Sequence, residues 1–332
     1  MAKLPPEIWR IIFANVEDKQ TLCNIVATSR QFGPLAEPFL YARIVFPASS
    51  SATTVMLENL HKALGAEHSR RPSYIRTLSL SARGKEDRVM IDDILVKTAN
   101  LKHLQLHVSP FLFPRFFRQG PPFNLTGFYI TLSSLDPDLF LFLGSHTTLE
   151  TLYIAHSSRF SGDIPAFSST SFPNLKTLTL ISVDVDAFLG TAAPIRQLRL
   201  QHSSGPAGDA QRMLSVRVLS CPSTDTLVSM FSLFPNIEWL ELFSPIEVST
   251  LMDCQYLKLR GIRLPRVLSG PHDMYWAFDA LPTLEFVEYT SRGELALERL
   301  YRGAIAPTMV QWLCGPGQEW LADWEEDVVH IG

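Results

Sequence analysis

The chain has 332 residues, 46% of them hydrophobic and 19% charged, with 23 prolines and a formal net charge of −4. That balance excludes a nucleic-acid binder resting on a broad basic surface, and the apolar content is ample for a large core. Cys23, Cys221, Cys254 and Cys314 stand far apart with no CxxC pair, which argues against a disulfide scaffold or zinc site and for reduced thiols.

The opening MAKLPPEIWRIIF is interrupted by Pro5, Pro6, Glu7 and Arg10, so it lacks a signal peptide's apolar run. No later run approaches the ~20 residues of a spanning helix, and the expected location is cytoplasmic and/or nuclear. Pro5 and Pro6 suit a helix's first turn, and Ile8, Ile11 and Ile12 follow as an apolar stripe widened by Trp9 and Phe13. A second helix is predicted from near Asp18 to Arg30, and a third, after Gly33-Pro34, ends near Leu40-Tyr41. Three short helices build little core of their own, so part of this apolar surface requires a cover.

Leu4-Pro5-Pro6-Glu7, then Val26 with Arg30 and Phe32, then Leu40-Tyr41 resemble the F-box family over residues 3–46. Cys23-Asn24 and Thr28-Ser29 depart from its commoner residues. The resemblance implies docking to a Skp-family adaptor, and through it to a cullin–RING ubiquitin ligase. The implied adaptor contacts are Leu4, Pro5, Ile8, Trp9, Ile12, Leu22, Val26 and Tyr41, each of which could instead pack inside the three-helix unit.

A Ser/Thr-rich turn and a helix over roughly 53–65 come next, and Tyr41–Phe46 has the spacing of a capping strand. From Ile75 onward one phrase recurs, apolar at its first, fourth and sixth positions. IRTLSL starts at Ile75, LKHLQL at Leu101, LTGFYI at Leu125, LETLYI at Leu149 and LKTLTL at Leu175. IRQLRL follows at Ile195, VRVLSC at Val216, IEWLEL at Ile237, LRGIRL at Leu259 and LEFVEY at Leu284. Successive starts lie 20 to 26 residues apart, inside the period of leucine-rich repeats. Between phrases, Asp92, Asp136, Asp186, Asp225 and Asp273 precede short apolar stretches and are predicted helix N-caps. The phrases resemble the irregular leucine-rich repeats of fungal F-box adaptors.

The expected fold is α/β. An N-terminal three-helix F-box precedes a curved leucine-rich-repeat solenoid, with a parallel sheet on the concave face and helices on the convex face. The expected boundaries are 1–46 for the F-box, 47–74 for the linker and N-terminal cap, 75–290 for the repeats, and 291–332 for a C-terminal cap with an acidic tail. Third, fifth and seventh phrase positions alternate away from the core onto the concave face. Target-binding candidates there are Tyr129, Tyr153, Arg199, Trp239, Glu241, Phe243, Arg263 and Phe286, and a C-terminal segment bearing Trp312, Trp320 and Trp324 is the competing cover. His103 and His107 would lie roughly 13 Å apart at about 3.3 Å per strand residue, too far to share one zinc. No GxSxG, phosphate-binding glycine loop or HExxH occurs, so no enzyme, catalytic residue, metal or cofactor is expected. The expected function is substrate recruitment for an SCF-type ubiquitin ligase. The alternative is a non-catalytic repeat scaffold or inhibitor whose F-box-like helices only cap the solenoid.

Overall fold

A computed structural model describes residues 4–16, 18–46, 53–66, 69–82, 84–108, 116–120, 122–132, 137–156, 167–168, 170–183, 191–201, 213–221, 231–243, 255–264, 275–290, 297–304 and 308–310, with residues 185, 188 and 306. It is a mixed α/β protein with two compact units, Met1–Leu149 and Glu150–Ala322, each described by itself. No helix among the described residues is long and apolar enough to cross a membrane.

The first unit opens with α1 (Pro6–Ala14), α2 (Lys19–Thr28) and α3 (Gly33–Ala42). Asp18 caps α2: its carboxylate accepts from the Thr21 hydroxyl at 2.6 Å and from the backbone N–H groups of Thr21 and Gln20 at 2.7 and 3.1 Å. These bonds, the Thr21 hydroxyl first, hold the carboxyl below its usual range. The helices close on Phe13, Leu22 and Ala36. Trp9 lies against Phe13 and Phe32 with ring centroids at 5.8 and 4.5 Å.

Helix α3 runs directly into β1 (Arg43–Val45), which pairs in parallel with β2 (Thr77–Ala82). The capping strand expected from Tyr41–Phe46 is therefore present. A second tie joins α3 to α5 (Arg71–Tyr74): Arg71 Nε donates to Glu37 Oε1 at 2.9 Å, and its guanidinium lies 5.2 Å from the centroid of Tyr41.

The first unit continues in parallel register through β3 (His103–Val108) and β4 (Gly127–Leu132). The second unit sets β5 (Thr151–His156), β6 (Thr177–Ile181), β7 (Gln197–Gln201), β8 (Val218–Cys221), β9 (Trp239–Leu242), β10 (Gly261–Leu264) and β11 (Phe286–Thr290) side by side, all parallel. Every one of these strands from β2 to β11 starts two residues into its phrase. The first, fourth and sixth phrase residues are buried throughout, none more than 5% exposed, with Cys221 and Tyr289 serving as core residues in leucine places. Parallel pairing then stops, because β12 (Leu297–Tyr301) adds to β11 antiparallel and β13 (Thr308–Val310) adds to β12 the same way.

Helix α4 (Thr53–Gly65) has the predicted extent and buries Leu57, Leu60 and Leu64, an amphipathic 3–4 spacing. It packs against α6 (Lys85–Lys97), which also covers β2. Here the Asp92 reading is corrected. The helix begins at Lys85, seven residues earlier, and Asp87 rather than Asp92 bonds the start by accepting the Gly84 N–H at 3.1 Å. Its first turns, KEDR, are charged, so the apolar period that reveals a helix appears only after Val89. α7 (Phe116–Gln119), α8 (Pro137–Ser145) and α9 (Tyr275–Ala280) complete the described helices. Asp136, Asp186, Asp225 and Asp273 lie outside the described residues, as do Trp312, Trp320 and Trp324.

The residue just before the phrase has the same task in four of the repeats. Asn100 donates its side-chain amide to the Ser73 carbonyl and Asn236 to the Leu214 carbonyl, both at 2.8 Å. Thr148 and Thr283 use their hydroxyls on the carbonyls of Leu125 and Leu259, at 2.7 and 2.8 Å. Each bond ties a loop to the loop of the preceding rung, satisfying a carbonyl that no strand partner reaches. Replacing Asn236 with Ala is expected to lower the stability of the second unit by about 1 kcal/mol, read as a lower urea midpoint at unchanged slope.

Phe117, Phe128 and Phe142 form an aromatic cluster in the first unit, with centroid distances of 4.7 to 6.4 Å. His146 is buried against it. Its ring stacks on Phe123 at 6.3 Å and meets Phe142 edge-on at 4.4 Å, and its Nε2 has no hydrogen-bond partner. Burial lowers its pKa from 6.5 to about 4, so the folded chain resists a proton that the unfolded chain accepts. Above about pH 6.5 both states are neutral and nothing is lost. As pH falls from 6.5 towards 4 only the unfolded state binds the proton, and stability drops by up to about 3 kcal/mol. Chemical denaturation at pH 7 and pH 4 is expected to show that extra loss in the parent chain and not in His146→Phe.

Candidate functional site

Two surfaces carry the residues singled out from the sequence. The first is the outer side of α1. Leu4, Ile8 and Ile12 are 48%, 41% and 38% exposed, Pro5 is exposed as well, and Ile11, absent from the implied contact set, is 60% exposed. One apolar stripe thus faces outward, while Phe13 on the opposite side fills the core. The other implied contacts divide differently. Leu22 is only 2% exposed and belongs to the helical core, so its expected role in docking is corrected: the α2 face that carries it turns inward to meet Phe13. Trp9 and Val26 are half-buried against the same core, and Tyr41 is half-buried beneath Arg71.

The second surface is the sheet face opposite the leucine positions. Parallel register places every fifth phrase residue in one row across the second unit: Tyr153, Thr179, Arg199, Ser220, Glu241, Arg263 and Glu288, with Arg299 of β12 opposite Glu288. Much of the row is an ion chain. Glu288 is fully buried; its Oε2 accepts from Arg263 Nε at 2.8 Å and Nη2 at 2.5 Å, and its Oε1 accepts from Arg299 Nε at 2.7 Å and from Arg299 Nη2. Arg263 Nη1 also reaches Glu241 Oε1 at 3.4 Å. Arg199 is buried with its guanidinium 4.7 Å from the centroid of Phe243, and its charge opposes the burial that raises the pKa of Tyr153.

A parallel row lies at the third phrase position. Trp239 and Phe286 sit two strands apart, yet their centroids are 5.0 Å from each other. The residue between them is Gly261, where an added Cβ would come within 2.5 Å of the Phe286 ring and 2.8 Å of Trp239, so only glycine lets the rings close over β10. Tyr301 extends the row at 5.9 Å from Phe286 and is 44% exposed. Arginine planes lie over the rings, Arg263 at 5.7 Å from Trp239 and Arg299 at 4.7 Å from Phe286.

The eight candidates for target contact therefore separate. Trp239, Phe243 and Phe286 are partly exposed, and Tyr153 is half-buried. Arg199, Glu241 and Arg263, expected as target-binding candidates, are members of the internal row, where lateral contacts engage them. Tyr129 belongs to the first unit and is 5% exposed. Arg299, Tyr301 and Gly261 escaped the sequence reading: β12 carries no phrase, and a glycine in a strand offers no side chain to notice. On β3, His107 Nε2 lies 3.0 Å from Gln105 Nε2, and burial lowers the pKa of the ring. Among the described residues no group of three or more His, Cys, Asp or Glu side chains is placed to hold a metal ion.

Removing the shared carboxylate leaves two guanidiniums facing each other. Glu288→Gln is expected to destabilise the second unit by about 3–5 kcal/mol, measured by urea unfolding, whereas Glu285→Gln, on the exposed Arg260 pair, is expected to leave the urea midpoint nearly unchanged. Neither the known protein-family models nor the curated proteins match this chain.

Proposed function

We propose that this protein is the substrate-recognition subunit of an SCF-type cullin–RING ubiquitin ligase. Its N-terminal helices form an F-box that docks a Skp-family adaptor, and its repeated strands form a leucine-rich-repeat solenoid that holds a target protein. The observation that carries the reading is the outward apolar stripe of Ile8, Ile11 and Ile12, with Leu4 just ahead of it, on a helix whose other side already fills its own small core. A stripe of that kind is left for a partner. Burying each such side chain contributes about 1.5–3 kcal/mol, so three or four can anchor a stable interface.

Two further features support it. Strand β1 continues α3 and pairs with β2, which transmits the position of a docked adaptor to the sheet. The open face of the second unit presents aromatic rings, the side chains most used as binding anchors. The role needs no catalytic group in this chain, because holding the target beside a ligase-bound donor raises its effective concentration.

The test is co-purification with a Skp-family adaptor. Trp9 is unsuitable for substitution, since it packs on Phe13 and Phe32. Ile8→Asp combined with Ile12→Asp alters two exposed positions and is expected to weaken adaptor binding at least about a hundredfold with the circular dichroism spectrum unchanged. A parent chain that captures no adaptor would instead leave the scaffold reading, in which the helices only cap the repeats.

A further inference from the structure

The open face of the second unit also carries information about the chemistry of its target, given that this face is the target site of the function proposed above. A surface rich in arginine invites a phosphorylated or acidic ligand. At the aromatic end of the row that charge is already met. Arg263 is shared by Glu241 and Glu288, and Arg299 is bound through two of its nitrogens to Glu288, so two guanidiniums stand against two carboxylates. Arg299 Nη1 donates a further bond to the Tyr301 hydroxyl at 3.2 Å. An incoming phosphate would have to displace a carboxylate that is fully buried, and would then lie beside it as a like charge.

What remains accessible is the aromatic row held up by those arginines. Trp239, Phe286 and Tyr301 follow one another at 5.0 and 5.9 Å, with the row closed at Gly261 and most open at Tyr301. One turn of a polyproline II helix is about 9 Å long, a length that such a run of three rings can receive. Prolines dock well on rings of this kind because the ligand is already extended and little conformational freedom is lost. A polyproline II backbone makes no internal hydrogen bonds and so presents its carbonyls. The Tyr301 hydroxyl accepts from Arg299 and keeps its own hydrogen for such a carbonyl.

We infer that this face recognises an unphosphorylated, uncharged segment of the target bearing prolines three residues apart, with Trp239, Phe286 and Tyr301 as its platform. Arg263 and Arg299 are positioning residues that orient the rings.

The experiment titrates the full-length protein by calorimetry with three capped decapeptides: all-proline, alternating glycine–serine, and the proline peptide with two phosphoserines replacing prolines. The proline peptide is expected to bind saturably, with Kd changing less than about twofold as salt rises from about 0.05 to 0.5 M. Tyr301→Ala, at an exposed position, is expected to weaken it about tenfold, and Tyr301→Phe, which keeps the ring, less than about threefold. Absence of binding by the proline peptide, equal binding of the glycine–serine peptide, or tighter and salt-dependent binding of the phosphopeptide would each overturn the inference. Adaptor capture on the same preparations reads the helical module separately. A protein that captures the adaptor yet ignores the proline peptide defeats this inference and leaves the adaptor half of the proposed function standing.

Discussion

A single backbone carbonyl at the second position of eight of the ten phrases sets the register on which the rest depends. The Arg76 oxygen accepts from the N–H groups of both Lys102 and His103, at 2.8 and 2.9 Å, and the Lys102 oxygen accepts likewise from Thr126 and Gly127. In the second unit the same fork recurs at Glu150, Lys176, Arg196, Arg217, Glu238 and Arg260. A carbonyl has two lone pairs, and using both at each of these rungs leaves the next strand no freedom to slip. A slip of one residue would exchange the core leucines for the polar residues of the open face, because side chains alternate with period two. The fork and the burial of positions one, four and six thus enforce the same alignment.

That alignment explains why the open face carries rows rather than scattered groups. Identical phrase positions on successive strands become lateral neighbours, so a charge in one repeat is answered by a charge 22 to 26 residues away. Arg263 meets Glu241 and Glu288 in this way, and on the strand-entry edge Lys176 meets Glu150 at 2.7 Å while Arg260 meets Glu285 at 2.8 Å. The two rows differ in energetic weight. The edge pairs are exposed and screened by water, whereas Glu288 is buried and its two arginines are held by it.

Much of the strand pattern is legible in the letters, and for a physical reason: ten phrases with three buried positions each leave a spacing that composition alone does not produce. The strands begin where the phrases say, and the phrases at Val216 and Leu259 keep the same register as the rest. What the letters hide are interactions between residues distant in sequence and local features without a period. Arg199, Glu241 and Arg263 read as target-binding candidates without their lateral partners, because one strand at a time gives no sight of the next. Leu22 reads as a docking residue because an apolar helix has two sides, and only packing against Phe13 and Ala36 decides which is covered. The start of α6 is hidden by its charged first turns, and Arg299 by an antiparallel strand outside the phrase.

The two most similar phrases, FPNLKTLTL and FPNIEWLEL, show how one scaffold supports different surfaces. In both, the leading phenylalanine and the three aliphatic letters are buried, and the Asn236 of the second ties its loop to the preceding one. At the fifth position the first phrase has Thr179 and the second Glu241, and only the second can join an ion row. At the third position Thr177 makes a hydrogen bond to Gln197 Oε1 at 3.1 Å, while Trp239 leans over Gly261 to reach Phe286. The lean requires the neighbouring repeat to give up its side chain, so the aromatic row belongs to three repeats together. A substitution at Gly261 would therefore part Trp239 from Phe286 without touching either ring, because the smallest residue on the face is the one that lets the largest two meet.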